Sequence, residues 1–263
     1  MRPALLAPAA LLALAGCSVG SADVDTEPTA QSTAAIVVVE RTAGPGDLAR
    51  SEVIARFVRT SRGGVDEQAL RIAGARAVPA VGVCASLDEM DAAPRPVELA
   101  DVGSVTVESA GARVALVPRQ VPDPVGMISG VIYSAPISAD QALARTDVRV
   151  SGGELDGVTA TATAPREMTG VTADTTARGL ELGWDAGDDA RDVVFVDVSA
   201  RGRVGVRCAF ADGGRGVVPA AWVTANDVGT LTLHRVRRAP FQARGLDAAE
   251  LRFDFARTIP FGL

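Results

Sequence analysis

Leu180-Glu181-Leu182-Gly183-Trp184 puts apolar and polar residues on alternate positions, the period of a half-buried β-strand. Past the turn-forming Gly187-Asp188-Asp189-Ala190-Arg191-Asp192, the run Val193-Val194-Phe195-Val196 is apolar on both faces, as a central strand is. Val204, Val206, Cys208 and Phe210 then share one face against Gly205, Arg207 and Ala209, which points Cys208 inward. Leu231-Thr232-Leu233 follows, and Leu251, Phe253 and Phe255 alternate with Arg252, Asp254 and Ala256. Short strands punctuated by turn residues predict an all-β fold, a sandwich or barrel. One Tyr and two Trp cannot furnish two aromatic girdles, which argues against a membrane-spanning barrel.

Working outward, Pro165, the strand ending in Trp184 and the central strand after it resemble the start of a fibronectin-III- or immunoglobulin-like domain. The resemblance covers the C-terminal unit, residues 165–263, and implies a two-sheet sandwich. Residues 34–164 form a second β-rich unit. Ala34-Ala35-Ile36-Val37-Val38-Val39 reads as a buried strand, and Ser51–Arg59 suits a strand as well as a helix. Asp66–Arg76 fits either a short helix capped by Asp66 or a strand ending at Gly74. Val78–Cys84 reads as an apolar strand opened by Pro79. Ser104–Glu108 and Arg113–Val117 flank Ser109-Ala110-Gly111-Ala112, a hairpin pattern. Met127–Ser134 and Val148–Val150 complete the set.

Residues 1–16, MRPALLAPAALLALAG, have a positive n-region at Arg2, an apolar stretch and a small-residue end, the layout of a secretory signal peptide. The stretch is too short to span a bilayer, which needs ~20 residues. Leu14-Ala15-Gly16-Cys17 resembles the lipobox of bacterial lipoprotein precursors. The resemblance implies cleavage before Cys17 and attachment of acyl chains, palmitate among them, to its sulfur and amine. Anchoring of that kind is stable, since each buried CH₂ adds ~0.8 kcal/mol. Ser18 in place of an Asp favours the outer membrane within that family. Residues 17–33 then form a small, polar, acidic tether. The body resembles uncharacterised lipoproteins of high-GC Gram-negative bacteria of the myxobacterial type, a likeness that brings no activity with it.

The 263 residues carry 26 basic against 32 acidic side chains, a net charge of −6, and every basic one is Arg. Nucleic acid is therefore not an expected partner; the membrane, through Cys17, is, together with an envelope protein or glycan. With Cys17 acylated, Cys84 and Cys208 remain, either as a disulfide or as two separate buried thiols. Gly44-Pro45-Gly46-Asp47-Leu48-Ala49 matches a dinucleotide-binding pattern, but polar Glu40-Arg41-Thr42 separates it from the preceding strand, so it reads as a loop. No cofactor is expected.

No G-x-S-x-G motif accompanies the single His234, and without Lys no Ser-Lys mechanism is available. His234 is expected on a strand surface, and no catalytic residue is assigned. Asp185, Asp188, Asp189 and Asp192 are a weak calcium candidate, since Asp and Gly are ordinary turn residues. Arg235, Arg237 and Arg238, with Arg201, Arg203 and Arg207, are expected as a basic stripe, serving an anionic surface or protecting an edge strand. The expected function is non-catalytic binding or envelope structure. The alternatives are a secreted hydrolase with a dispersed site and a calcium-stabilised adhesion module.

Overall fold

β-Strands dominate the part of the chain that the computed structural model describes, residues 31–44, 46, 49–60, 67–72, 74, 76–88, 97–121, 128–203 and 205–262. The first unit contains β1 (Ser32–Ala43), β2 (Arg50–Thr60), α1 (Glu67–Ile72), β3 (Cys84–Ser86), β4 (Val97–Leu99), β5 (Ser104–Ser109), β6 (Ala112–Ala115) and β7 (Val117–Val121). It continues with β8 (Ile128–Pro136), α2 (Ala139–Ala142), β9 (Arg145–Ser151) and β10 (Thr159–Thr163). The second contains β11 (Thr172–Thr176), β12 (Gly179–Gly183), β13 (Asp192–Ala200), β14 (Val206–Ala211), β15 (Arg215–Pro219), β16 (Gly229–Pro240) and β17 (Ala248–Phe261). Cys17 and the leader lie outside the described residues.

The strand order makes two sandwiches. In the first unit β1-β2-β8-β7 faces β10-β9-β5-β6, the ABED and GFCC′ orders of immunoglobulin-type domains. In the second, β11-β12-β15 faces β14-β13-β16-β17, with its fourth strand moved to the larger sheet as in fibronectin type III domains. Trp184, just past β12, is buried in that core with Leu180, Leu182, Val196, Cys208 and Leu233.

β10 ends at Thr163 and β11 begins at Thr172, so the two sandwiches are consecutive in sequence but not separate in space. β17 pairs in parallel with β1 from Ala34↔Ala248 to Ala43↔Arg257, fusing the two larger sheets into one of ten strands. Leu251, Phe253 and Phe255 of β17 enter the first unit's core beside Val37, Phe57 and Tyr133, while Phe261 enters the second. Burying three such side chains contributes roughly 5–9 kcal/mol, at ~1.5–3 each. That makes the second unit's last strand a structural part of the first.

A strap crosses the outer face of this sheet. From β2 in the first unit the chain runs through α1 and residues 76–83 to β3, which pairs with the second unit's β14, and later returns as β4 beside β2. The segment read as a strand from Val78 to Cys84 is thus mostly not one. Only Cys84–Ser86 forms strand, because the chain turns at Gly82 (φ +86°), and Val81 and Val83 stand 57 % and 47 % exposed. Residues 67–72 take the helical alternative. Ser51–Arg59 lies within β2, antiparallel to β1, so the glycine-bearing link between them joins two neighbouring strands and opens no helix. The hairpin closes on the two residues Ala110-Gly111, tighter than the four-residue link expected.

Candidate functional site

Cys84 and Cys208 are joined by a disulfide, with Cα atoms 4.0 Å apart. They are register partners across β3 and β14, so the bond ties the strap to the second unit. Backbone bonds from Gly82 N to Ala209 O (2.8 Å), Ala209 N to Val83 O (3.1 Å) and Leu87 N to Gly205 O (2.9 Å) continue the attachment. Arg207 adds to it, donating to Ala77 O at 2.6 Å.

Beneath the strap the sheet carries a buried polar cluster that corrects the expectation for His234. It is not a surface residue but 2 % exposed, because the strap, whose Val78 packs on Phe195 and Val236, crosses the outer face of β16. Its Nδ1 lies 2.7 Å from Asp254 Oδ1, and its ring stacks on Phe195 at 4.3 Å. Arg207 sits over the same phenyl ring at 4.7 Å and forks onto Asp197 at 2.6 Å through two nitrogens. Burial pushes the Asp254 carboxyl up, but the His234 hydrogen bond and the nearby Arg76 and Arg252 outweigh it, holding it below its usual range. The anionic carboxylate accepts, so Nδ1–H of His234 donates. Glu40, the cross-strand partner of Asp254, is pushed up by burial and by that like charge.

The expected basic stripe is corrected as well. Arg235 and Arg237 share the inward parity of Leu231 and Leu233, and β16 is central, between β13 and β17. Arg235 is 0 % exposed. It binds Asp212 at 2.7 and 3.0 Å and donates to the backbone oxygens of Arg166, Glu167 and Asp185. Arg237 forks onto Asp192 at 2.7 and 2.8 Å. Arg207 is buried, Arg203 pairs with Asp227 at 3.0 Å, and Arg201 is an exposed turn residue. Of the stripe, only Arg238 is an exposed strand residue, bound to Glu250 at 2.6 Å.

The same pairs engage carboxylates of the calcium candidate. Asp192 is committed to Arg237, Asp189 to Arg191, and Asp185 accepts from Thr169; Asp188 is left exposed. Among the described residues no His, Cys, Asp and Glu group suited to a metal ion forms.

What sequence reasoning missed is the cleft between strap and sheet. It encloses about 550 Å³, within the range of small-molecule sites. Val193, Phe195 and Val236 form its floor and Val78, Pro79 and Val81 its wall. Arg71, Arg76, Arg238, Arg252 and Asp254 supply its charged groups. A smaller cleft of about 310 Å³, edged by Phe241, shares Leu70, Arg238 and Arg252 with it. The one signal in the sequence was the apolar run from Ala77 to Val83, which exceeds what a three-residue strand can bury.

No family model matches the chain, and no curated protein matches it.

Proposed function

We propose that the protein is an exported lipoprotein of the outer membrane, held by acyl chains on Cys17, whose tandem sandwich body has a non-catalytic binding role. The disulfide carries this reading: it uses two of the three cysteines and belongs to an oxidising compartment, leaving only the lipobox Cys17 for acylation. The rigid join between the units supports a presenting or binding role, and the strap cleft is its binding site. His234 is spent on Asp254 and Phe195, which speaks for a structural rather than a catalytic imidazole.

Metabolic labelling with a palmitate analogue tests this. The wild-type chain is expected to take the label and sediment with the outer membrane, and Cys17→Ser to lose both properties. Recovery of the wild-type chain from cytosol with Met1 and a free Cys17 thiol overturns it.

A further inference from the structure

We propose that the strap cleft binds a free single-chain organic acid, its anionic head at the arginine end and its apolar body along the valine floor. This names a ligand class for the binding role above and does not depend on Cys17 being acylated.

The register lays the polarity out in one direction. Arg238 pairs with Arg252, Val236 with Asp254, and Val193 with Val236, while Phe195 pairs with His234 at the next step on the same face. From Arg238 to the His234 position is four residues, ~13 Å at ~3.3 Å per residue. One end is therefore cationic, and beyond the Arg76–Asp254 ion pair the rest is Val193, Val236 and Phe195 under Val78 and Val81.

Among the described residues, the charge at the arginine end is not fully offset. Arg238 and Arg252 share one carboxylate, Glu250, at 2.6 and 2.7 Å, so two guanidiniums meet a single anion. Arg76 is matched by Asp254 at 3.4 Å. An acidic protein, net −6, thus has a locally cationic pocket mouth. Guanidinium groups suit a planar carboxylate through paired N–H donors. The Arg238 side chain, 60 % exposed, is open to an incoming ligand. The volume suits one short chain, whereas a bilayer presents a surface that a recessed floor cannot meet.

The test uses the mature chain from residue 17 with Cys17→Ser; every described strand lies between Ser32 and Phe261, so no described strand is removed. Calorimetric titrations compare sodium decanoate with inorganic phosphate and with decyltrimethylammonium. Decanoate is expected to bind at one site about tenfold or more tighter than either, since both the charge-assisted hydrogen bonds and the apolar floor are needed. Arg238→Glu is expected to weaken it by about tenfold, and Val193→Trp, which fills the floor, to abolish it, with melting temperatures close to the parent's. Absence of decanoate binding, equal binding of phosphate or of the cation, or binding unchanged in both variants overturns the proposal. So does co-flotation of the unlipidated protein with phosphatidylglycerol vesicles in place of decanoate binding. None of these outcomes bears on labelling at Cys17.

Discussion

Cys84 and Cys208 face each other across two antiparallel strands that belong to different sandwiches. A bond closing a loop of 124 residues restricts the unfolded chain strongly. The loop-entropy relation gives ~4.7 kcal/mol for a 100-residue loop, with ~2–5 kcal/mol the common observation. Cys84→Ser with Cys208→Ser is expected to lower unfolding free energy by about 2–5 kcal/mol in denaturant titrations. Amide exchange at residues 78–86 should rise more than at β12 or β13.

Arg235 has its guanidinium fully buried among Asp212 and three backbone oxygens. Among the described residues, Arg235→Met leaves Asp212 with only the Trp184 indole donor at 2.7 Å. The expected loss is about 3–5 kcal/mol, read from denaturant midpoints. Arg235→Met with Asp212→Asn should recover part of it, which a double-mutant cycle measures.

Tyr133 is fully buried, donating to Asp101 at 2.6 Å and accepting from Val102 N at 2.8 Å. Burial and the Asp101 bond push its phenol up to about 12. A raised value means the folded state holds the proton longer. The associated stability is present below the unfolded value of ~10 and is lost as pH rises from there toward about 12. Tyr133→Phe should cost about 1–3 kcal/mol near neutral pH, because Val102 N–H loses its partner. It should also flatten the alkaline limb of a stability-versus-pH curve.

Asp254 shifts the other way. Its depressed value contributes stability that is present above the unfolded carboxylate value of ~3.9 and is lost as pH falls through the lower folded value. Asp254→Asn is expected to remove that acid limb and to loosen His234, visible as a change in its imidazole NMR shifts.

Ala110 adopts φ 48° in the hairpin turn beside Gly111 at φ 75°, a two-residue geometry that favours Asn-Gly. Ala110→Asn is expected to raise stability by about 0.5–1 kcal/mol, the scale on which left-handed backbone disfavours ordinary side chains. A thermal melt measures it.

Strand content was legible because half-burial writes itself as alternation, as at Leu180 and Leu182 or Leu251 and Phe253. For the arginines, residue type suggests an exposed face, whereas parity decides it. Arg235 and Arg237 continue the inward positions of Leu231 and Leu233, and the carboxylates that neutralise them, Asp212 and Asp192, sit 23 and 45 residues away. His234 has the outward parity, and only the strap hides it, a layer that local pattern does not reveal. The cleft was illegible for the same reason, since its wall and floor come from separate units. The sheet-to-sheet join at β1 and β17 depends on a pairing more than 200 positions apart that no turn announces.

That join has a kinetic corollary. β1 emerges from the ribosome before the other described strands and cannot acquire its parallel neighbour until residues 248–257 have followed. Until then the first sandwich has an open flank of unbonded amides and lacks Leu251, Phe253 and Phe255. Vectorial, unit-by-unit maturation is therefore poorly suited to this topology. A chain threaded through a translocon would finish its first half last, and a holdase shielding that flank in transit would suppress strand-mediated aggregation.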